Sequence, residues 1–203
     1  MKLGAVVRTM GPQSTRELVS GCAHAAEDAG LDEIWVVDHI AIPPDDAEGS
    51  DGRYLDPLAT LAFLAGTTQR IGLGTAVLIL PYRPALPTAK WIATIQELSG
   101  GRLRLGVGVG WMRAEFRAAG VDRARRGGIA DETLAVLHEC IAKGGDEVVA
   151  AMGRIAIEDA ARAAEQVAVL ATVDVTRFVH AERYVDRDGF AEIAARLARC
   201  RSQ

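Results

Sequence analysis

No apolar run in this sequence approaches the roughly 20 residues needed to cross a bilayer, so no membrane partner is expected. Nor is there a signal-peptide pattern, because Met1-Lys2-Leu3-Gly4 leads straight into an apolar strand; a cytoplasmic location is the expectation. Cysteine is scarce. Cys22, Cys140 and Cys200 are an odd, widely spaced set without metal-ligand spacing, and read as reduced thiols. Positive charge is not in excess: 23 Lys and Arg against 27 Asp and Glu leave a formal net charge of −4, which gives a nucleic-acid partner no general electrostatic support. The sequence also lacks low-complexity segments, a G-x-G-x-x-G turn after its first strand, a nucleophile elbow and a Cys/His metal cluster. A Rossmann nicotinamide site and a resident metal are thereby disfavoured.

What remains is an ordinary globular composition, 49% hydrophobic and 25% charged, with nothing to divide residues 1–203 into more than one domain. Strand and helix signals alternate along it. Leu3 to Val7 reads as a strand, and Ser14 with Glu17 as a capping box for a helix carrying Leu18, Cys22, Ala26 and Ala29 on one face and closed by Gly30. Ile34 to Val37 is the second strand. Asp56 and Pro57 then open a helix with Leu58, Leu61, Ala62 and Ala65 at i, i+3, i+4 and i+7. The spacing next predicts a strand over Ile71 to Leu80, a helix over Pro84 to Ser99 stopped by Gly100-Gly101, a glycine-rich strand over Leu103 to Val109 and a helix over about Asp131 to Cys140. Strands at Glu147 to Met152 and Arg177 to Ala181 follow, with helices at about Asp159 to Ala171 and around Phe190, Ile193, Ala194 and Leu197. Six strand-helix units of this kind imply right-handed crossovers and a parallel sheet, closed or open.

Polar residues at the carboxyl end of a buried parallel strand point into the mouth where α/β proteins bind ligands, which singles out Asp38-His39. An imidazole there can exchange a proton with a reacting centre, and the dipeptide fits a helix cap and a structural histidine equally well. Two glycine strands, Arg70 to Val77 and Leu105 to Trp111, leave room for a flat ligand or for a neighbouring backbone. The polar loop Ala41 to Tyr54 follows Asp38-His39 directly and can act as a lid. Arg102, Arg104, Arg113, Arg117, Arg123, Arg125 and Arg126 form a local basic cluster, read as a solvated face with an anionic ligand tail as the minority reading. His24 and His138 read as surface or packing residues, and His180 as structural with a smaller chance of facing the same mouth as His39.

In this order, the segments resemble the luciferase-like monooxygenase superfamily, and within it the oxidoreductases that use the deazaflavin coenzyme F420. The resemblance lies in Ala29-Gly30-Leu31-Asp32, Ile34 to His39, Arg70 to Leu78, Leu98 to Arg102, Gly106 to Trp111 with Glu115-Phe116, and Arg126-Gly127 with Asp131-Glu132; it extends to Val149 to Arg154 and Thr176 to His180. It implies a (β/α)8 TIM-barrel-like fold and a cytoplasmic oxidoreductase passing hydride between a small organic substrate and coenzyme F420. FMN is the alternative cofactor, and an FMN-dependent monooxygenase or a non-catalytic flavin-binding protein the alternative function. By the same resemblance His39 is the catalytic position, Asp38 binds the ring, a non-proline cis peptide at Ala76-Val77 buttresses it, and Gly108, Val109 and Gly110 supply backbone contacts.

Two departures from the family pattern carry expectations of their own. Trp111 stands where the sugar-phosphate dehydrogenase branch has a catalytic Glu, which argues against that branch. Between Cys140 and Asp146 the chain lacks the fifth and sixth strand-helix units, so a barrel shortened to six units is expected, with two open edges that imply either a homodimer covering the gap or a chain that folds poorly.

Overall fold

The structure is a computed structural model that describes residues 1–140, 150–153, 158–159, 161–163, 165–166 and 177–200. Its elements are β1 (Lys2–Val6), α1 (Arg16–Asp28), β2 (Glu33–Val36), α2 (Pro57–Thr67), β3 (Gly72–Ile79), α3 (Ala85–Leu98), β4 (Leu103–Gly108), α4 (Arg113–Ala118), α5 (Arg126–Cys140), β5 (Ala150–Gly153), β6 (Arg177–His180) and α6 (Arg187–Arg199). All six strands are parallel, in the order β4-β3-β2-β1-β6-β5, and the sheet curls into part of a barrel. This is the shortened TIM-barrel-like α/β fold that the sequence predicts. Its two edges, β4 and β5, flank the Cys140–Asp146 stretch, most of which lies outside the described residues, as do residues 147–149 of the predicted strand and most of the predicted helix over 159–171.

Strand residues alternate between two faces. Leu3, Ala5, Ile34, Val36, Leu73 and Leu103 point outward and join one core with Cys22, Ala26, Leu61, Leu64, Ile92, Phe190 and Leu197 from the helices. On the concave side the sheet is lined by glycine. The indole of Trp35 lies across Gly4 and Gly74, where an added Cβ would come within 2.6 Å and 2.3 Å of it. Gly106 is tighter still, because a Cβ there would meet the Thr75 carbonyl oxygen at 2.2 Å. One tryptophan thus occupies space that a regular barrel fills with layers of smaller side chains.

Local signals hold with two corrections. Asp56 caps α2 through Ala59 N at 2.9 Å, with Pro57 in the first turn, and Gly100 and Gly101 end α3 at positive φ. The cap of α1, however, is Thr15, whose Oγ1 accepts from Leu18 N. Ser14 is buried one residue earlier and donates to the Gly11 carbonyl at 2.7 Å, so the turn at Gly11 consumes the hydroxyl that the capping box assigned to the helix. The helix predicted from Asp131 begins at Arg126, and the short α4 precedes it, a six-residue element too brief to show a periodic pattern.

Candidate active site

Asp38 and His39 follow β2 at its carboxyl end, and their side chains part company there. The Asp38 carboxylate, 4% exposed, accepts from Ile79 N at 2.8 Å and from both guanidinium nitrogens of Arg83 at 2.5 and 2.9 Å. Arg83 also reaches Asp56 at 3.1 Å, so it clasps the exits of β2 and β3 and the start of α2 together. Burial works against the Arg83 charge, but the hydrogen bonds and charge of Asp38 outweigh it and hold the guanidinium more firmly protonated.

His39 turns toward α4. Its Nδ1 lies 3.0 Å from Glu115 Oε2, and since a carboxylate can only accept, Nδ1 is the donor. Glu115 is fully buried, and its other partners are Ile40 N at 2.6 Å, Ala41 N at 3.1 Å and Tyr82 Oη at 3.1 Å. Burial, and then the Glu115 charge, push the Tyr82 phenol well above the ordinary tyrosine range, so this O–H stays a donor. With Nδ1 engaged, Nε2 is the ring atom left for chemistry, and it has no partner among the described residues. The Tyr54 ring stands 4.9 Å from the imidazole, and Trp111 lies 6.5 Å away, edge-on.

His39 opens on a pocket of about 420 Å³, lined by Val37, Asp38, His39, Ala76, Val77, Ile79, Val109, Gly110 and Trp111. Of the residues singled out in the sequence, Asp38, His39, Ala76, Val77, Val109 and Gly110 line it together. Gly108 lies behind the wall: a Cβ there would sit 2.6 Å from Val77 Cγ2 and push that side chain out of place. The Ala76-Val77 peptide is cis, at the register shift between β3 and β4. His180 is 2% exposed and bonds Glu182 at 2.9 Å, while His24 bonds the Thr67 carbonyl at 2.7 Å. The loop after His39 is tied down at its far end, where Met10 pairs with Tyr54 and Arg8 bonds the Gly49 carbonyl.

A family model described as luciferase-like monooxygenase matches residues 3–167. The chain belongs to the luciferase-like monooxygenase family. Among curated proteins, this luciferase-like chain is 36% identical over 119 residues to an uncharacterized protein of Mycobacterium tuberculosis, a match covering 53% of the chain and 42% of the relative. It is 33% identical over 120 residues to the 4-hydroxyprotoasukamycin monooxygenase of Streptomyces nodosus subsp. asukaensis, covering 59% and 30%. The chain thus spans less than half the length of these relatives. Apo-MsnO8 superposes with a TM-score of 0.68 at 12% identity, over 99% of the chain and 98% of that structure. The oxygenating constituent of 3,6-diketocamphane monooxygenase from Pseudomonas putida, in complex with FMN, gives 0.56 at 20% identity over 68% and 38%. The coenzyme F420 dependent tetrahydromethanopterin reductase of Methanopyrus kandleri gives 0.50 at 22% over 71% and 44%. At these identities the structural likenesses establish the fold.

Sequence reasoning passed over Glu115 as a site residue, naming it only within a family motif, and did not name Tyr82, Arg83 or Tyr54 for the site. The signal for Glu115 was a lone acid beside Phe116 just after a glycine turn; for Arg83 it was a charge directly before the proline that opens a helix.

Proposed function

We propose that this chain is an oxidoreductase that binds a deazaflavin, coenzyme F420, in the His39 pocket, with FMN as the alternative ring. The observation that carries the reading is the setting of His39: Nδ1 is fixed by a buried carboxylate, Nε2 has no partner among the described residues, and the residue lines a pocket of about 420 Å³. That volume is within the range of small-molecule sites, and the walls suit a flat aromatic body. Val77 and Val109 are about two-fifths exposed and present apolar surface, while Gly108 lacks the Cβ that would displace Val77. Solved relatives in complex with FMN or dependent on coenzyme F420 support a ring of this class; the Asp-His pair at the second strand favours the deazaflavin.

When bound, the ring supplies the hydride donor or acceptor. The residues of the chain do the rest. Ala76, Val77, Val109 and Gly110 would hold the ring. Asp38 contributes through the wall, by fixing Ile79 and Arg83. His39 Nε2 takes a proton from the substrate or returns one to it, and Glu115 keeps the ring in the tautomer with its proton on Nδ1. Tyr54 and Trp111 pack near the imidazole and limit its contact with water.

Absorbance and fluorescence titrations with coenzyme F420 and with FMN test the reading. Saturable binding of one of them should weaken at least about tenfold in Val109→Asp, which sets a charge on an apolar wall at a solvent-accessible position. His39→Ala should keep binding and lose reoxidation of the reduced cofactor by substrate. A purified, folded protein that perturbs the spectrum of neither cofactor refutes the proposal.

A further inference from the structure

The arginines that cluster in the sequence have different duties in space. Arg102 is a scaffold residue, donating to Thr68 and to the carbonyls of Ala65, Ile71 and Ser99. Arg104 lies 3.9 Å from Glu33, and Arg125 3.7 Å from Glu132. Arg113, Arg117 and Arg123 stand apart from these. They line a groove of about 440 Å³ beside Trp111 and Pro43, and the same three arginines border a second hollow of about 590 Å³.

Three observations set this groove apart from a solvated basic face. Arg113 and Arg117 are i, i+4 neighbours on α4, a like-charge spacing that disfavours a helix when unanswered. Neither guanidinium has a hydrogen-bond or ion-pair partner among the described residues, although Asp45 and Asp46 line the same groove. Finally, Trp111, which is 66% exposed, is a wall of both this groove and the His39 pocket, and its carbonyl accepts from Arg123 Nε at 3.2 Å. The cationic groove therefore adjoins the reaction pocket across one indole.

We infer that the Arg113, Arg117 and Arg123 groove is an anion subsite, taking a carboxylate or phosphate of the molecule whose reacting part lies beside His39. The inference rests on the reading of that pocket as the ring site. Two molecules could present the anion: the cofactor, through its phosphate-bearing side chain, or an acidic substrate lying along Trp111. Guanidinium groups suit both, since each can donate two parallel hydrogen bonds to an oxyanion.

The test compares the wild type with Arg113→Gln/Arg117→Gln, two exposed positions whose exchange should leave circular dichroism and thermal melting unchanged. Each protein is titrated with FMN and riboflavin, and with coenzyme F420 and its tail-free chromophore. Each is also titrated, with and without the ring ligand, with phenyl phosphate and with benzyl alcohol, read by tryptophan fluorescence. If the groove holds the cofactor's tail, the wild type prefers the phosphorylated member of a pair by about tenfold or more, and the double variant abolishes the preference. If it holds a substrate acid, the cofactor preference survives but phenyl phosphate binding is lost in the variant, and benzyl alcohol binding is equal in both. Either result upholds the subsite and names its source. Equal affinities of wild type and variant for every anion overturn it. Arginine-dependent binding of phenyl phosphate by a protein that binds no ring ligand at all would uphold the groove and reject the ring-site reading, so the two fail separately.

Discussion

Two glutamates are buried at opposite ends of the sheet, and the molecule answers them differently. Glu33, at the start of β2 and 2% exposed, faces two arginines, Arg177 at 2.7 Å and Arg104 at 3.9 Å. Glu115, beyond the carboxyl end of β4, is met by two backbone N–H groups, a phenol and an imidazole, with no guanidinium among its partners in the described residues. A guanidinium stays charged at any pH the fold survives, so the Glu33 cluster is a fixed fastening between β2 and β6. The Glu115 cluster instead joins a buried carboxylate to the imidazole that the proposed function uses. Under the proposed function, the same side chain serves stability at one end and chemistry at the other.

The largest effect expected from breaking this contrast is at Glu115→Ala, which leaves four donors without an acceptor. A loss of roughly 3–4 kcal/mol in chemical denaturation should accompany complete loss of cofactor-dependent turnover. Unchanged stability would mean that the carboxylate does not hold the turn after His39. Next comes Arg177→Met at the other end. With Arg104 still near Glu33, destabilisation of about 2–3 kcal/mol is expected, while affinity for the ring ligand should match the wild type. A parallel loss of affinity would erase the distinction between the two ends.

A smaller change, about 1 kcal/mol, is expected for Tyr82→Phe, which removes one donor to Glu115. Its signature is the pH dependence. Because the folded-state pKa of Tyr82 is raised above the unfolded value of about 10, its contribution is complete below that pH and is lost as pH rises through the folded value. Thermal melts should therefore fall less steeply above about pH 10 in the variant than in the wild type; equal slopes would place the phenol outside the network. The smallest effect belongs to Glu27→Gln. Burial pushes the Glu27 carboxyl up, but backbone N–H donors from Arg70, Ile71 and Gln69 and the Arg70 charge outweigh it, leaving its pKa lowered. Its contribution is thus present above the ordinary glutamate range and lost as pH falls through the depressed value. Being half-buried and screened, it should account for less than about 1 kcal/mol in acid-dependent melts, and a larger loss would show that carboxylates outside the two clusters matter as much.

Much of the fold was legible because its signals are local. Asp56-Pro57 needs only three residues to cap a helix, Gly100-Gly101 only its own φ angles to end one, and the buried face of α6 shows its period within a dozen residues. His39 was legible as the polar end of an apolar strand. Glu115 was not, because its meaning depends on partners 33 and 76 positions away. Arg83 likewise acquires its role from Asp38, 45 positions earlier. The glycines of β3 and β4 were visible as gaps, but what fills the space beside Gly4 and Gly74, the Trp35 indole, comes from the strand between them.

By itself, then, the sequence determined the order of strands and helices, the parallel sheet with its polar strand end at Asp38-His39, and the family to which these segments belong. Each depends on chain periodicity or on a contiguous motif, which short-range sterics and burial enforce. Only the tertiary structure decided that Asp38 is spent on Arg83, that Glu115 sets the imidazole, and that three arginines converge beside Trp111. Hydrogen bonds and charges act over a few ångströms in space, and which residues come that close is fixed by the winding of the sheet, not by their distance along the chain.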